Sequence, residues 1–293
     1  MSDTWKRRSE RWAARLLKAR ITSPGRHHTW IMLTLTLGTL LLAFVAAWKL
    51  DLSLNSSSWI PLAAALMVSL ASPVLPALEY QIGLRLIGQD SSWSMALRVS
   101  VYGSLANALP LPGGVAVKLK AMTEQGAPIK RAVKVSVLAG LIWVSLSAFA
   151  LGVAIPQLSI SLVIVGGMLL FLTLGVSVVR RLPFAPTTHL FGVEFLFIVF
   201  AAIRFFFVMA AIGVSVEALE AVGLAASGPI ASALGLVPGA LGVFESLSAG
   251  IAVLIGVPAA AGFLAAVILR VLTLISVLLW TPLIRSQLDR HAV

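Results

Sequence analysis

The chain has 293 residues, 59% hydrophobic and 11% charged, with a mean hydropathy of +1.00. Soluble domains carry about a quarter charged residues, so this composition excludes an ordinary soluble domain and implies an integral membrane protein. With no cysteine, disulfides, thiolate metal sites and a cysteine nucleophile are excluded.

The net charge of +11 is not spread as a nucleic-acid surface would be. Residues 1–28 hold eight Lys/Arg against two acids, and a long apolar run follows at once. Residues 4–21 place Trp5, Trp12, Leu16 and Ala19 along one helical side with Arg and Lys around it. This pattern predicts a basic amphipathic cytoplasmic segment on anionic lipid headgroups, with no nucleic-acid partner. The apolar run is long enough to span a membrane, which marks an uncleaved anchor rather than a secretory signal.

Span one is expected from Trp30 to Leu50, with Trp at its ends as interfacial anchors. Span two is expected from Trp59 to Leu78, kinked by Pro73 and Pro76. Glu79, Arg85, Asp90 and Arg98 follow and mark that end as cytoplasmic.

Ser100 to Lys120 is apolar enough to enter a bilayer, but Pro110, Pro112, Gly113 and Gly114 interrupt it. Each proline removes a backbone donor and pushes the preceding residue out of the helical region. Ser91 or Ser92 can cap a helix running to Leu109, on which Ser100, Ser104 and Asn107 form a polar stripe. A second short helix is expected from Gly114 to Gln125, and a full span from Lys130 to about Ile155. A broken helix at membrane depth is tolerated only where protein or a water-filled cavity satisfies its backbone. Positive charge on both flanks makes this a re-entrant hairpin with both ends inside.

Span four is expected from Ser161 to Val179 and span five from Leu190 to Val214, the latter carrying Glu194 near its inner end and Arg204 inside it. A second interrupted run, Ala221–Leu236, breaks at Val237-Pro238-Gly239-Ala240-Leu241-Gly242 and resumes to Gly256. The last span runs from Pro258 to about Leu283, with Arg285 and Arg290 placing its end inside. Arg270 falls near the middle of that span, where an ionisable group costs roughly 2.5–3.5 kcal/mol or more and usually faces a cavity or a partner.

Each half therefore reads span, span, broken hairpin, span, in opposite orientations. The breaks also match in sequence: Gly103, Ala106, Ala108, Leu109 and Leu111 correspond to Gly228, Ala231, Ala233, Leu234 and Leu236, and Pro112-Gly113 to Pro238-Gly239 after one inserted residue. The expected fold is an all-α polytopic membrane protein with about six full spans and two broken re-entrant helical hairpins arranged as an inverted repeat. The repeat halves fall at about 29–156 and 157–285 within one domain at 29–285, followed by a cytoplasmic tail at 286–293. Such architectures place the site where the breaks meet.

The pattern Asn107-x-x-Pro110-x-Pro112-Gly113-Gly114-x3-Lys118 resembles the first signature of the lysylphosphatidylglycerol synthase transmembrane region, a flippase-like domain. Pro238-Gly239-x-x-Gly242-x-x-Glu245, with Arg270 in the helix behind, resembles its second. The resemblance covers roughly residues 30–285. Family members often carry Arg at the position of Lys118 and Gly at that of Ala240. In two-domain relatives a cytosolic domain adds the amino acid to the lipid and the membrane region moves the product, so the resemblance implies the translocating half alone.

The expected site comprises Asn107, Pro110, Pro112, Gly113, Gly114, Lys118, Arg204, Pro238, Gly239, Gly242, Glu245 and Arg270. Lys118 follows a break, where helix N-terminal amides and a cation can together hold a phosphate; the plainer reading is snorkelling to the interface. Asn107 reads more simply as satisfying the broken backbone. Glu245–Arg270 reads equally as a structural ion pair or a substrate contact. No phosphate loop, Asp-rich metal pair, intramembrane His or Ser/His/Asp set is present, so no catalytic residue, metal or cofactor is expected.

The expected activity is movement of an anionic or phosphate-bearing lipid, aminoacylated or lipid-linked, between leaflets of the cell membrane, with both termini cytoplasmic. The alternatives are a membrane-embedded enzyme or an accessory subunit acting on a lipid-linked substrate. Expected partners are that phospholipid or lipid-linked substrate, with room for a homodimer or a separate lipid-modifying synthase.

Overall fold

The computed structural model describes residues 38–48, 50, 58–108, 113–155, 167–168, 175, 184–234 and 240–289. Every regular element among them is a helix. They are α1 (Gly38–Trp48), α2 (Trp59–Leu70), α3 (Val74–Arg85), α4 (Trp93–Ala108), α5 (Gly114–Glu124), α6 (Ile129–Ala154), α7 (Phe184–Ala211), α8 (Ala218–Ala225), α9 (Ser227–Leu234), α10 (Val243–Leu254) and α11 (Ala259–Asp289). Among the described residues, four stretches are long and apolar enough to cross a membrane: Trp59–Arg85, Ile129–Ala154, Pro186–Ala211 and Ala259–Pro282. The expected amphipathic segment at 1–28 lies outside the described residues, as do residues 30–37 of span one and most of span four.

Several boundaries differ from expectation, and proline is the common reason. The second span does not stop at Leu78; a turn at Ala71–Pro73 bends it, and it continues as α3 to Arg85. Pro76 falls in the first turn of α3, where a missing N–H costs nothing. The same holds for Pro186 in the first turn of α7, which starts at Phe184 rather than Leu190. The last helix accommodates Pro282 internally and runs to Asp289, so residues 286–289 are helical. The second interrupted run is itself divided at Ala226, where the Ser227 hydroxyl donates to the Leu224 carbonyl at 2.6 Å.

At the bend between α2 and α3, side chains of neighbouring helices donate to backbone carbonyls. Trp280 Nε1 donates to Leu70 O at 2.8 Å, and the buried Ser100 hydroxyl donates to Pro73 O at 2.6 Å. These two bonds tie α11 and α4 to the bend, where the Pro73 carbonyl also accepts the Ala77 N–H at 3.3 Å.

Two large apolar clusters form most of the core among the described residues. One gathers Tyr80, Leu84, Met122, Leu138, Ile142 and Leu190; the other gathers Phe205, Met209, Leu224, Ile251, Ala252 and Leu272. The packing is reciprocal: α4 of the first broken pair lies on α11, and α8 and α9 of the second lie on α6. The bent α2–α3 lies along α7 between them. Outward faces keep large apolar side chains exposed, among them Leu41, Phe44, Trp48, Trp59, Ile60, Met67, Phe195, Leu278 and Leu279. Water would penalise such a surface, while hydrocarbon would not.

Candidate functional site

The first break joins α4 to α5. Ser92 caps α4, its hydroxyl accepting the Met95 N–H at 3.3 Å. At the other end the Asn107 side-chain carbonyl accepts the Gly114 N–H at 2.9 Å. Asn107 thus supplies the acceptor that a new helix start lacks. A Cβ on Gly113 would collide with Ala106, and one on Gly114 with Asn107, so both glycines permit the close return of the chain. Pro110 and Pro112 lie outside the described residues.

The second break joins α9 to α10, with Pro238 and Gly239 outside the described residues. Here the acceptor comes from the helix that follows: Glu245 Oε2 accepts the Gly242 N–H at 2.8 Å. Glu245 Oε1 accepts Arg270 Nε at 2.8 Å, and an Arg270 terminal nitrogen reaches the Ala240 carbonyl at 3.3 Å. Arg270 also lies over the Phe244 ring, 5.8 Å from its centroid. Ala240 and Gly242 both hold positive φ, +50° and +78°. Glu245 is 0% exposed, whereas the Arg270 side chain is 21% exposed. The carboxylate is therefore part of the scaffold and the guanidinium is the group that meets the open space.

Arg204, on α7, donates to the Leu269 carbonyl at 2.9 Å and the Thr273 hydroxyl at 2.6 Å. Both partners are neutral. Its Nε is buried without a hydrogen-bond partner among the described residues. Lys118, on α5, pairs with Glu79 on α3 instead of standing as a free cation. Glu194, on α7, is 2% exposed and lies within charge–charge reach of both.

These groups line two adjoining lobes of a cavity. A lobe of about 330 Å³ carries Arg204, Arg270 and Thr273; a lobe of about 690 Å³ carries Lys118, Glu79 and Glu194. Ser104, Asn107, Trp143, Phe197, Pro229 and Ser232 line both, so the two broken pairs face each other across a shared wall. Volumes in this range are typical of small-ligand sites, largely apolar with a few convergent polar groups. Of the expected residues, Asn107, Gly114, Lys118, Arg204 and Arg270 line the cavity; Gly113 packs against Ala106, and Glu245 accepts from both Arg270 and the Gly242 N–H. Among the described residues no three His, Cys, Asp or Glu side chains gather as a metal site requires.

Glu79 and Glu194 were not among the expected site residues. Glu79 was read as following a second span that stops at Leu78, whereas the helix carries it on to Arg85. Glu194 was read as an ordinary interfacial carboxylate. The available signal was that both are acids within apolar, helix-compatible stretches, a combination that bilayers penalise unless the groups are paired or face a cavity.

Compared with known proteins, the sequence matches no family model and no curated protein.

Proposed function

We propose that this chain is an integral membrane lipid translocase, moving an anionic or phosphate-bearing lipid between leaflets of the cell membrane. The observation that carries this reading is Arg204, a cation with only neutral partners among the described residues, facing a cavity between two broken helix pairs. A phosphate would supply the missing counter-charge and engage Arg204 and Arg270 together, guanidinium groups being well matched to phosphate oxygens. Acyl chains would stay against the exposed apolar helix faces while the headgroup crosses through the cavity.

The reciprocal packing of the two broken pairs supports an inverted repeat of six spans and two re-entrant hairpins, as does the sequence match between the breaks. The likeness of both breaks to the flippase-like signatures supports the same reading on those residues alone. Lys and Arg at the ends of the spans favour cytoplasmic termini.

The test is reconstitution in liposomes containing headgroup-labelled phosphatidylglycerol, with leaflet exchange and lipid composition followed together. Protein-dependent exchange without covalent change is the expected result. Covalent conversion of the lipid would make the chain an enzyme, and neither event would leave it an accessory lipid-binding subunit.

A further inference from the structure

The larger lobe holds two carboxylates against one ammonium. Lys118 reaches Glu79, and Glu194 sits opposite, close enough to interact with both. With all three ionised the lobe carries one surplus negative charge. The smaller lobe carries the opposite surplus, because Arg270 is matched by Glu245 while Arg204 has neutral partners.

These two surpluses do not cancel by pairing. Glu194 and Arg204 are ten residues apart on one helix, which separates them by about 15 Å along its axis. Among the described residues, Glu79 and Lys118 are the charged groups that act on Glu194. From α3 the group that reaches it is Glu79, and from α5 it is Lys118. Tyr80 is near Glu124 instead. On α6 the lobe is lined by Ser136, while Lys130, Arg131 and Lys134 are exposed at the start of that helix. His189, on the same helix as Glu194, is exposed. On α11, Arg270 belongs to the other lobe.

Resting on the translocase reading, we infer that Glu79, Lys118 and Glu194 form a proton-loading site, so that an anionic headgroup at Arg204 moves together with one proton held between Glu79 and Glu194. The charge count requires it. Arg204 with a singly charged phosphate is neutral, and Lys118 with one ionised and one protonated carboxyl is neutral. The fully loaded protein therefore moves no net charge through a low-dielectric region. Loaded with the anion alone, it carries one uncompensated charge, and burying that charge slows the movement. The proton enters from the aqueous side on loading and leaves to the opposite side on release, bound meanwhile as a carboxyl O–H.

The sign follows directly. Exchange is fast when the carboxylate pair holds its proton and slows as pH rises past the point where the pair loses it. On that limb the rate falls about tenfold per pH unit, as for any single required proton.

The test uses the full chain in phosphatidylcholine liposomes carrying headgroup-labelled phosphatidylglycerol and a lumenal pH dye. Wild-type exchange is expected to fall with rising pH and to carry about one proton per lipid, whereas Glu194→Gln gives a flat pH profile and no proton movement. An unchanged profile in Glu194→Gln overturns the inference. A second readout needs neither exchange nor a variant: an apolar carbodiimide, which reacts with protonated buried carboxyls, is applied to the wild-type protein and its sites are mapped by mass spectrometry. Labelling of Glu79 or Glu194 that fades as pH rises supports the site even if no lipid moves, a result that would sink only the translocase reading. Absence of labelling at both, protection by sodium at fixed pH, or protection by added phosphatidylethanolamine each overturns it. The last two would assign the lobe to a metal cation or to a headgroup ammonium.

Discussion

Glu245 and Arg270 are joined at 2.8 Å through a carboxylate with no exposed surface, whose other oxygen accepts the Gly242 N–H at the start of the same helix. One side chain thus closes the second break and fixes the guanidinium that faces the cavity. This geometry ranks three variants. Arg270→Gln leaves a buried carboxylate without its cation and should destabilise by about 3–5 kcal/mol. Glu245→Gln keeps an acceptor for Gly242 and leaves a cation that can face the cavity, so its loss should be smaller. The double variant should melt above Arg270→Gln alone. Thermal unfolding in detergent reads the order, and a double variant less stable than Arg270→Gln would contradict it. Glu245→Gln should also lower headgroup movement in proteoliposomes; an unchanged rate would assign the pair to the fold alone.

Arg204 calls for a different pattern, because its partners are a carbonyl and a hydroxyl rather than a carboxylate. Arg204→Gln removes a charge without stranding an opposite one, so the protein should melt close to the wild type. Exchange of labelled phosphatidylglycerol should fall by about tenfold or more, the equivalent of about 1.4 kcal/mol of lost headgroup binding. Equal losses for phosphatidylglycerol and phosphatidylcholine would show that the residue acts on the fold rather than on an anionic headgroup.

The sequence made the helices legible because apolar length and Pro-Gly interruption are local signals. It also located the two breaks and the cationic residues Lys118, Arg204 and Arg270. What it concealed was pairing across the fold. Glu79 and Lys118 are 39 positions apart, and Glu245 and Arg270 are 25 apart. The second pair was legible because both residues lie in a recognisable motif. The first was not, because span two was expected to stop at Leu78, which left Glu79 outside a helix that in fact continues to Arg85. Glu194 was passed over for a related reason: its distance from any cation along its own helix says nothing about what α3 and α5 bring to it.

Asn107 offers a separation of capping from contact. Its carbonyl holds the Gly114 N–H at 2.9 Å, and the residue also lines both lobes. Asn107→Ala removes the acceptor and should cost about 1 kcal/mol. Asn107→Asp keeps an acceptor at the same reach and should melt within about 0.5 kcal/mol of the wild type. The added negative charge should nevertheless slow exchange of phosphatidylglycerol, because it stands in the shared wall of the cavity. If Asp and Ala were equally destabilising, the bond to Gly114 would not be what holds the break.

Ala240 is the described non-glycine residue with a left-handed backbone, at φ +50°. A Cβ in that conformation crowds the following carbonyl, at a cost of about 1–2 kcal/mol. The strain persists because the Ala240 carbonyl accepts from Arg270 at 3.3 Å and the adjoining turn leads into the Gly242–Glu245 bond. Ala240→Gly should relieve the clash while loosening the unfolded chain, which offsets part of the gain. The expected net effect is stabilisation by about 0.5–1 kcal/mol, read as a raised melting temperature of the purified protein. The same substitution in an Arg270→Gln background should gain less, because without the guanidinium the turn can relax on its own. Equal gains in both backgrounds would mean that the ion pair does not hold Ala240 in place.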